Sequence, residues 1–357
     1  MKNFYQNKKV LVTGHSGFKG SWLVKILNNW GAEVIGVSLP PDTTPNLFEV
    51  LNLANQIKEN YFVDIRDFDK IKEIVQKTKP EIVFHLAAQP LVRDSYNDPL
   101  YTYSINVLGT ANILQVVKEV GGIKSVVAIT TDKVYENKEW AHPYKETDAL
   151  GGYDPYSASK AAADIVTNSY LQSFFNPKDF NLKHNTLVAI ARAGNVIGGG
   201  DWAKDRLVPD MVRSIFEHKE SLVIRNPKSI RPWQHVLEPL RGYLMLAEKL
   251  YNGNSSISGA WNFGPQEDSF ICVEELVKNG IKILGRGNYE IIEDDSKHEA
   301  NLLKLDINKA LDKLQWKPKL SFEGSLKETF DWYREFYINQ EKIIDFTDEQ
   351  IKLYFNE

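Results

Sequence analysis

The sequence predicts an α/β fold, with a doubly wound parallel sheet and a smaller C-terminal α/β lobe interleaved with it. Short runs of Val, Ile and Leu recur along the N-terminal half, and such continuous apolar runs are typical of strands buried on both faces. A segment with helical periodicity follows each run, which indicates βαβ units and therefore a parallel sheet. The third observation is a glycine-rich turn directly after the first run.

The predicted elements follow one another in a regular order. Strands are expected at residues 10–12, 34–37, 63–65, 82–84, 126–129 and 187–190, with helices at 21–30, 102–120 and 157–173. After about Asn195 the alternation gives way to loops rich in Gly, Pro and Trp, with short helices at 211–219 and 240–251. We therefore predict an N-terminal domain of residues 1–195 and a second lobe of residues 196–357.

Composition and charge exclude several classes of protein. The 357 residues are 43% hydrophobic and 25% charged, values near the globular average that argue against disorder and coiled coil. The net charge of −4 argues against a nucleic-acid partner. Residues 1–9 are polar and no stretch approaches the ~18 apolar residues of a membrane span, so we expect a cytoplasmic protein without membrane contact. The single cysteine, Cys272, is expected in the core, and no metal site is indicated.

The glycine-rich turn predicts a dinucleotide site. Gly14, Gly17 and Gly20 lie between a strand and a helix, where glycines let a pyrophosphate approach the N–H groups of a helix N-terminus. A plain tight turn is the alternative, but the strand–turn–helix context favours a Rossmann-type cofactor domain. The second strand ends at Ser38, without the Arg or Lys that would bind a 2′-phosphate. We therefore expect NAD rather than NADP.

Further cofactor contacts are expected where other strands end. Asp64 would end the third strand and bond the adenine amino group, or alternatively cap a helix. Ala87 and Ala88 are small enough to leave room for the cofactor, and Asn106 is expected near it, with a surface role as the alternative. With the catalytic pair described next, the expected cofactor contacts are Gly14, Ser16, Gly17, Phe18, Lys19, Gly20, Ser38, Asp64, Ile65, Ala87, Ala88, Gln89, Asn106, Tyr156 and Lys160.

A Y-x-x-x-K pair supplies the first candidate catalytic residues. Asp154 and Pro155 are typical of a helix start, so Tyr156 and Lys160 would share one helix face. We expect the lysine charge to lower the pKa of the phenol and make it a general base. A surface pair is the alternative, but Thr131 ends a central strand, where open α/β sheets bind ligands.

The order of these motifs resembles the extended short-chain dehydrogenase/reductase family. The resemblance runs over essentially the whole chain and is carried by VTGHSGFKG, HLAAQ, NVLGT, TTDKVY, YSASK, RAGNVIGGGDW, RPWQHV and WNFGP. It implies an N-terminal cofactor lobe, a C-terminal lobe that binds a nucleoside-diphosphate sugar, and Thr131, Tyr156 and Lys160 as the dehydrogenase triad.

One departure points to a branch of that family. Sugar-nucleotide 4,6-dehydratases usually show Thr-Asp-Glu where this chain has Thr131, Asp132 and Lys133, and this resembles a branch that acts on CDP-glucose. The implied activity is that of an NAD-dependent lyase. Tyr156 would deprotonate the C4 hydroxyl, Lys133, if neutral, would remove the C5 proton, and Asp132 would help water leave from C6.

The resemblance also implies substrate contacts in both parts of the chain. Gly198–Asp201 are expected to be flexible and to expose N–H groups to phosphate, and Arg206 and Arg231 to bind the diphosphate. Trp233 and His235 have a core role as their alternative. The expected substrate residues are Gln89, Arg93, Ser95, Asn195, Asp201, Arg206, Arg231, Trp233 and His235.

The resemblance further implies a homodimer and a pathway. Helices around 100–118 and 157–173 carry wide apolar faces, expected to pair in a four-helix bundle unless packing within one chain accounts for them. The expected product serves deoxysugar biosynthesis for surface polysaccharide such as lipopolysaccharide O-antigen. Two rival functions remain: a nucleotide-sugar C4 epimerase or reductase, and a non-catalytic dinucleotide-sensing protein.

Overall fold

A seven-stranded parallel sheet forms the centre of the molecule. The structure is a computed structural model that describes residues 1–138, 140, 142–266, 269–292 and 303–356. The strands are β1 (Lys9–Thr13), β2 (Glu33–Ser38), β3 (Glu59–Phe62), β4 (Ile82–His85), β5 (Ser125–Ile129), β6 (Leu187–Ala193), β7 (Val196–Ile197), β8 (Leu222–Ile224), β9 (Ile230–Pro232), β10 (Gln234–His235), β11 (Gly259–Phe263), β12 (Phe270–Cys272) and β13 (Tyr289–Ile291). The central sheet has the order β11-β6-β5-β4-β1-β2-β3, which confirms the predicted doubly wound arrangement.

The strand order reverses between β1 and β4. Strand β1 pairs in parallel with β2 on one side and with β4 on the other, so the chain builds one half of the sheet and then crosses back to build the other. Thr13 and His85 are paired where these two strands end. In open α/β sheets, ligands bind outside the carboxyl ends of the strands at such a reversal. The topology therefore places a binding crevice beyond Thr13 and His85.

Helices cover both faces of the sheet. Val10 and Val12 of β1 pack into one hydrophobic cluster while Leu11 packs into another, as expected when successive side chains point to opposite faces. No helix among the described residues combines the length and apolarity needed to cross a membrane. The helices are α1 (Lys2–Tyr5), α2 (Phe18–Asn29), α3 (Leu47–Val50), α4 (Phe68–Thr78), α5 (Val92–Asn97), α6 (Pro99–Tyr103), α7 (Thr110–Val120), α8 (Pro155–Ser173), α9 (Leu207–Arg213), α10 (Leu237–Tyr251), α11 (Val273–Leu284), α12 (Phe322–Ile338) and α13 (Ile343–Phe355).

The C-terminal part of the chain returns one strand to the central sheet. Strand β11 pairs in parallel with β6, so the second lobe and the sheet are interleaved. The remaining C-terminal strands form three two-stranded pairs, β7 with β10, β9 with β12, and β8 with β13. A domain boundary at residue 195 stays a prediction.

Three predicted elements differ from the structure. The third strand is Glu59–Phe62 rather than residues 63–65, because this edge strand has no continuous apolar run that would reveal it. The predicted helix at 102–120 is divided into α6, a π-helical turn at Ser104–Gly109, and α7. The helix predicted at 211–219 instead begins at Leu207 and ends in a second π turn.

Candidate active site

The glycine-rich turn lies directly at the carboxyl end of β1. Gly14 has φ of +73°, and a Cβ atom at this position would lie 2.7 Å from the amide nitrogen of Ala87. A Cβ atom on Gly20 would lie 2.0 Å from the carbonyl oxygen of Gly14. Both positions therefore require glycine, because the turn closes tightly on itself and on the end of β4.

The N-terminus of α2 suits a diphosphate. The helix begins at Phe18 after Gly17, and no side chain caps it, so N–H groups of its first turn are left for a ligand. Burial and the positive charges of Arg206, Lys160 and Lys133 together lower the pKa of Lys19 to about 7, against the opposing charge of Asp132. A lysine that lies among other cations fits the double negative charge of a pyrophosphate.

The end of the crevice beyond β2 contains hydroxyl groups. Ser38 Oγ donates to Ser16 Oγ at 2.8 Å, and Ser16 Oγ donates to the carbonyl oxygen of Leu39 at 2.8 Å.

Asp64 lies two residues beyond β3 instead of ending it, and its carboxylate is bound by Arg66 at 2.6 Å. The hydrogen bond from Arg66 lowers the pKa of Asp64, so this carboxylate stays charged at neutral pH.

Two of the expected cofactor residues pack or bond within the protein. Ile65 is buried, and its side chain fills the space that a Cβ atom on Gly109 would need. Asn106 lies in the π-helical turn and is buried. Its side chain accepts a hydrogen bond from the backbone N–H of Gln89 at 2.8 Å and donates to the Gln89 carbonyl at 3.1 Å. The surface alternative for Asn106 is therefore wrong, and the residue holds the loop after β4.

The catalytic helix α8 begins as its sequence predicts. Asp154 accepts a hydrogen bond from the N–H of Ser157 at 2.9 Å, and Pro155 is the first helical residue. The ammonium of Lys160 donates to the carbonyl oxygen of Ile129 at 2.9 Å, where β5 ends. Burial lowers the pKa of Lys160 to about 8, against the opposing charge of Asp164.

The expectation for Tyr156 needs a correction. Burial raises the pKa of the Tyr156 hydroxyl, and Lys133, the hydroxyl of Thr131 and Arg206 oppose this rise. We expected Lys160 to lower this pKa, but its ammonium is directed at the backbone of β5. The charge on Lys133 therefore favours the phenolate in the chain alone.

Thr131, Asp132 and Lys133 form a compact group beside this tyrosine. They occupy the start of a 3-10 turn after β5, where Thr131 Oγ1 donates to Asp132 Oδ1 at 2.8 Å. The ammonium of Lys133 lies 3.4 Å from the same oxygen and 3.5 Å from Asn195 Oδ1. Asp132 is buried, whereas Lys133 is part-exposed. An acid and an amine thus meet at the mouth of the crevice.

Arginines extend the positive region into the second lobe. Arg206 is held by Asp201, whose carboxylate accepts from it at 2.8 Å. Arg231 lies on the short strand β9, opposite Ile271 of β12. Arg93 forms an ion pair with Asp205 that connects α5 with the segment before α9. Asp201 therefore orients Arg206, and its own contact with the substrate stays a prediction.

The turn at residues 198–200 and the side chains of Trp233 and His235 are packed inside the protein, which favours the core alternative for Trp233 and His235. Gly198–Gly200 are packed under the side chains of Val236, Trp332 and Leu47, so they are not flexible. Trp233 is buried and donates from its indole to Ile271. His235 is fully buried against Trp22, and burial lowers its pKa to about 3.

Gln89, in the loop after β4, and Ser95, on α5, are two further expected substrate residues. The side-chain amide of Gln89 donates to Leu91 O at 3.0 Å and to Thr102 Oγ1 at 2.9 Å. Ser95 is fully buried and accepts from the N–H of Tyr156 at 3.1 Å. Both side chains therefore bond within the protein, and their contact with the sugar stays a prediction.

His85 is a site-forming residue that the sequence analysis missed. Its Nδ1 lies 2.7 Å from Thr13 Oγ1 and its Nε2 lies 2.9 Å from Thr110 Oγ1. Thr110 Oγ1 donates to Asn106 O, so Nε2 carries the hydrogen and Nδ1 accepts from Thr13. Burial, reinforced by Lys160, lowers the pKa of His85 to about 3. The signal was the motif HLAAQ, whose histidine ends a predicted strand.

Metal ligation has no candidate in the part of the chain that is described. No group of three or more His, Cys, Asp or Glu side chains there could hold a metal ion.

Comparison with known proteins agrees with this geometry. The family model described as GDP-mannose 4,6 dehydratase matches residues 11–329. The CDP-glucose 4,6-dehydratase of Salmonella typhimurium is 48% identical over 344 residues, which is 96% of this chain and 95% of that protein. The dTDP-glucose 4,6-dehydratase of Haemophilus influenzae is 29% identical, over 91% of this chain and 97% of that protein.

Solved structures share the fold. A dTDP-glucose 4,6-dehydratase from Bacillus anthracis in complex with NAD has a TM-score of 0.75 at 24% identity, covering 94% of this chain and 98% of that one. A UDP-glucose 4-epimerase from Thermotoga maritima with UDP-glucose has a TM-score of 0.76 at 24% identity, covering 92% and 99%. The architecture is therefore common to enzymes with different outcomes, and the residues of the crevice must distinguish between them.

Proposed function

This chain belongs to the GDP-mannose 4,6 dehydratase family, and from this membership we propose that it converts CDP-D-glucose to CDP-4-dehydro-6-deoxy-D-glucose and water. It is a hydro-lyase that depends on tightly bound NAD. The observation that carries this proposal is the contact between Asp132 and Lys133 beside Tyr156. Oxidation at C4 needs only a base, whereas loss of water across C5 and C6 needs an acid and a base together.

The glycine-rich turn fits NAD. Gly14 and Gly20 leave no room for side chains, and the uncapped N-terminus of α2 offers N–H groups to a pyrophosphate. NAD, when bound, supplies the redox chemistry by accepting a hydride from C4 and later giving it to C6. Ser38 provides hydroxyl contacts and no positive charge for a 2′-phosphate, so binding measured for both nucleotides should favour NAD over NADP.

The chain's own residues move the protons. Tyr156 takes the proton of the C4 hydroxyl, assisted by the nearby charge of Lys133. Once C4 is a ketone, Lys133 passes its proton to Asp132. The uncharged amine then removes the C5 proton, and Asp132 gives its proton to the departing C6 hydroxyl. Lys133 returns the C5 proton to C5 when the hydride returns to C6. Tyr156 has gained one proton and Lys133 has lost one, so a proton exchange through solvent restores the starting state.

The substrate's diphosphate is assigned to the positive region in the second lobe. Arg206, oriented by Asp201, and Arg231 bind its oxygens with charge-assisted hydrogen bonds. Asn195 contacts Lys133 and so lies close to the sugar. The 48% identity with the CDP-glucose 4,6-dehydratase of Salmonella typhimurium supports CDP-glucose as the sugar nucleotide.

A homodimer in the cytoplasm is part of the proposal. Leu100 and Leu108, in and after α6, and Ile165 on α8 are exposed by 81%, 61% and 55%, although they are large apolar side chains. Pairing of these helices with a second copy in a four-helix bundle would bury them. The product would supply deoxysugars for surface polysaccharide such as lipopolysaccharide O-antigen.

The deciding experiment is incubation of the purified protein with CDP-glucose and NAD, followed by the ultraviolet chromophore that 4-keto-6-deoxy sugars give in alkali. UDP-glucose, dTDP-glucose and GDP-mannose serve as parallel substrates. A chromophore with CDP-glucose at the highest kcat/KM is the expected result. Inversion at C4 without the chromophore would support the epimerase alternative, and NAD binding without turnover of any sugar nucleotide would support a sensor.

A further inference from the structure

The backbone of Tyr156 is bound by two buried serine hydroxyls. Its N–H donates to Ser95 Oγ at 3.1 Å, and its carbonyl accepts from Ser159 Oγ at 2.7 Å. Ser95 and Ser159 are both 0% exposed. Ser95 belongs to α5, the first helix after β4, whereas Tyr156 belongs to α8. This hydrogen bond therefore joins two separate elements.

The bond between Ser95 and Tyr156 differs from an ordinary helix cap. Asp154 immediately precedes α8 and accepts from Ser157, so it orders the first turn but does not position the helix relative to the sheet. Ser95 Oγ donates its own hydrogen to Val92 O at 2.6 Å. Its lone pairs are thereby directed at Tyr156, one of the residues whose N–H has no partner within the helix.

The second hydroxyl links the same tyrosine to the loop after β4. Asn106 donates to Ser159 Oγ at 2.8 Å while it also binds both backbone groups of Gln89. The peptide groups on either side of Tyr156 are therefore connected to the segment that follows β4, through Ser95 of α5 on one side and through Asn106 and the Gln89 backbone on the other.

We propose that Ser95 is a positioning residue for Tyr156, holding the start of the catalytic helix so that the phenol is in reach of the C4 hydroxyl. The inference rests on the proposed function. Tyr156 is the second residue of α8, in a first turn that has few internal bonds, so a displacement there moves the phenol directly. A positioned base loses rate steeply with small shifts in distance.

The test is Ser95→Ala, which removes the acceptor and leaves the Tyr156 N–H buried without a partner. We expect kcat per NAD-binding site to fall by about tenfold, consistent with the cost of one unpaired buried group, while KM for CDP-glucose and the Kd of NAD change less than about twofold. If Ser95→Ala is insoluble, Ser95→Cys keeps the volume with a weaker sulfur acceptor and should change kcat in the same direction.

Thr167→Val is the matched control. Thr167 is also a fully buried hydroxyl on α8, but it donates to Ala163 within the helix. This variant should retain the wild-type kcat. An equal loss of kcat in both variants, or a loss that appears in KM, would overturn the proposal.

A second measurement does not depend on the substrate. Hydrogen exchange of the Tyr156 amide should be faster in Ser95→Ala than in the wild type, and unchanged in Thr167→Val. If the wild type does not convert CDP-glucose, the proposed function fails while the exchange result still tests the hydrogen bond. If the wild type is active and Ser95→Ala keeps its kcat, only the positioning role is rejected.

Discussion

Arg192 and Asp164 form a buried, two-pronged ion pair one helical turn beyond Lys160. The guanidinium of Arg192 donates to the two carboxylate oxygens of Asp164 at 2.7 Å and 2.8 Å, and the side chains are only 4% and 1% exposed. Arg192 also donates to the Tyr135 hydroxyl at 2.8 Å. The pair ties the catalytic helix α8 to β6 beneath the active site.

Asp164→Asn should strongly destabilise the protein. The substitution leaves a buried guanidinium without its counter-charge, and breaking a buried pair in this way typically costs about 3–5 kcal/mol. Denaturant unfolding of the wild type and the variant measures the difference in free energy. The control is Asp179→Asn, which breaks the exposed pair with Lys183 and should cost below about 1 kcal/mol. Equal losses of unfolding free energy in the two variants would show that the buried ion pair contributes no more to stability than the exposed one.

The sequence predicts those features of the fold that short local motifs encode, but not the contacts between residues that lie far apart in the chain. The glycine turn, the start of α8 at Asp154 and the strand before Thr131 each follow from residues within one short segment, so sequence patterns predict them. The pair of Arg192 with Asp164 joins two elements 28 residues apart, and no local pattern indicates it. Burial is equally invisible, which is why His235 was expected at the substrate.

Tyr156→Phe should abolish turnover without loss of folding. Only the hydroxyl is removed, and loss of a general base typically costs on the order of 10²–10⁴ in rate. Binding of CDP-glucose and NAD, measured by calorimetry, should change little. Near-normal kcat in this variant would exclude Tyr156 as the base that takes the C4 hydroxyl proton.

Arg231→Ala should weaken binding of CDP-glucose far more than binding of NAD. A hydrogen bond to a charged group contributes roughly 1.5–3 kcal/mol, so the Kd of the sugar nucleotide should rise by about 10- to 100-fold. Arg225→Ala, at an exposed arginine of the same lobe, is the control and should leave both constants unchanged. A parallel rise in both Kd values would place Arg231 outside the substrate site.

His235→Asn should make the protein less sensitive to acid while leaving KM for CDP-glucose unchanged. Burial lowers the pKa of His235 to about 3, whereas an unfolded histidine has a pKa of about 6.5. Between these values the unfolded chain binds a proton that the folded protein does not, so stability falls as the pH falls from about 6.5 towards 3.

Asparagine cannot be protonated but can still accept the hydrogen bond from Leu237 N–H. The Asp and Glu side chains contribute equally to the pH dependence of both proteins. The unfolding free energy of the variant should therefore fall by about 1.4 kcal/mol less per pH unit than that of the wild type within this window. Denaturant unfolding at several pH values measures the two slopes. Identical slopes would mean that His235 does not contribute to acid unfolding, and an increased KM would return it to the substrate site.

Lys133→Met tests which group removes the C5 proton. The Lys133 ammonium lies 3.4 Å from Asp132 and 3.5 Å from Asn195, so the amine can pass its proton to the carboxylate and then accept one from C5. Asp132 in turn holds the proton needed at the C6 hydroxyl, and the two residues act as a coupled pair. Without the amine, Tyr156 loses one of the charges that favour its phenolate, so the C4 step should slow, but Thr131 and Arg206 still act on the phenol. The absorbance of reduced nicotinamide should therefore build up while no product forms.

The exchange of the C5 hydrogen with deuterated water separates the two roles of Lys133. If it is the base, exchange in Lys133→Met should fall by at least the roughly 10²-fold that general-base catalysis contributes. The control is Lys138→Met, at an exposed lysine paired with Glu136, which should exchange C5 as the wild type does. Normal C5 exchange in Lys133→Met would assign proton removal to Asp132 or to water and leave Lys133 a binding role. That outcome would not alter the assignment of Tyr156, because the C4 step precedes the exchange.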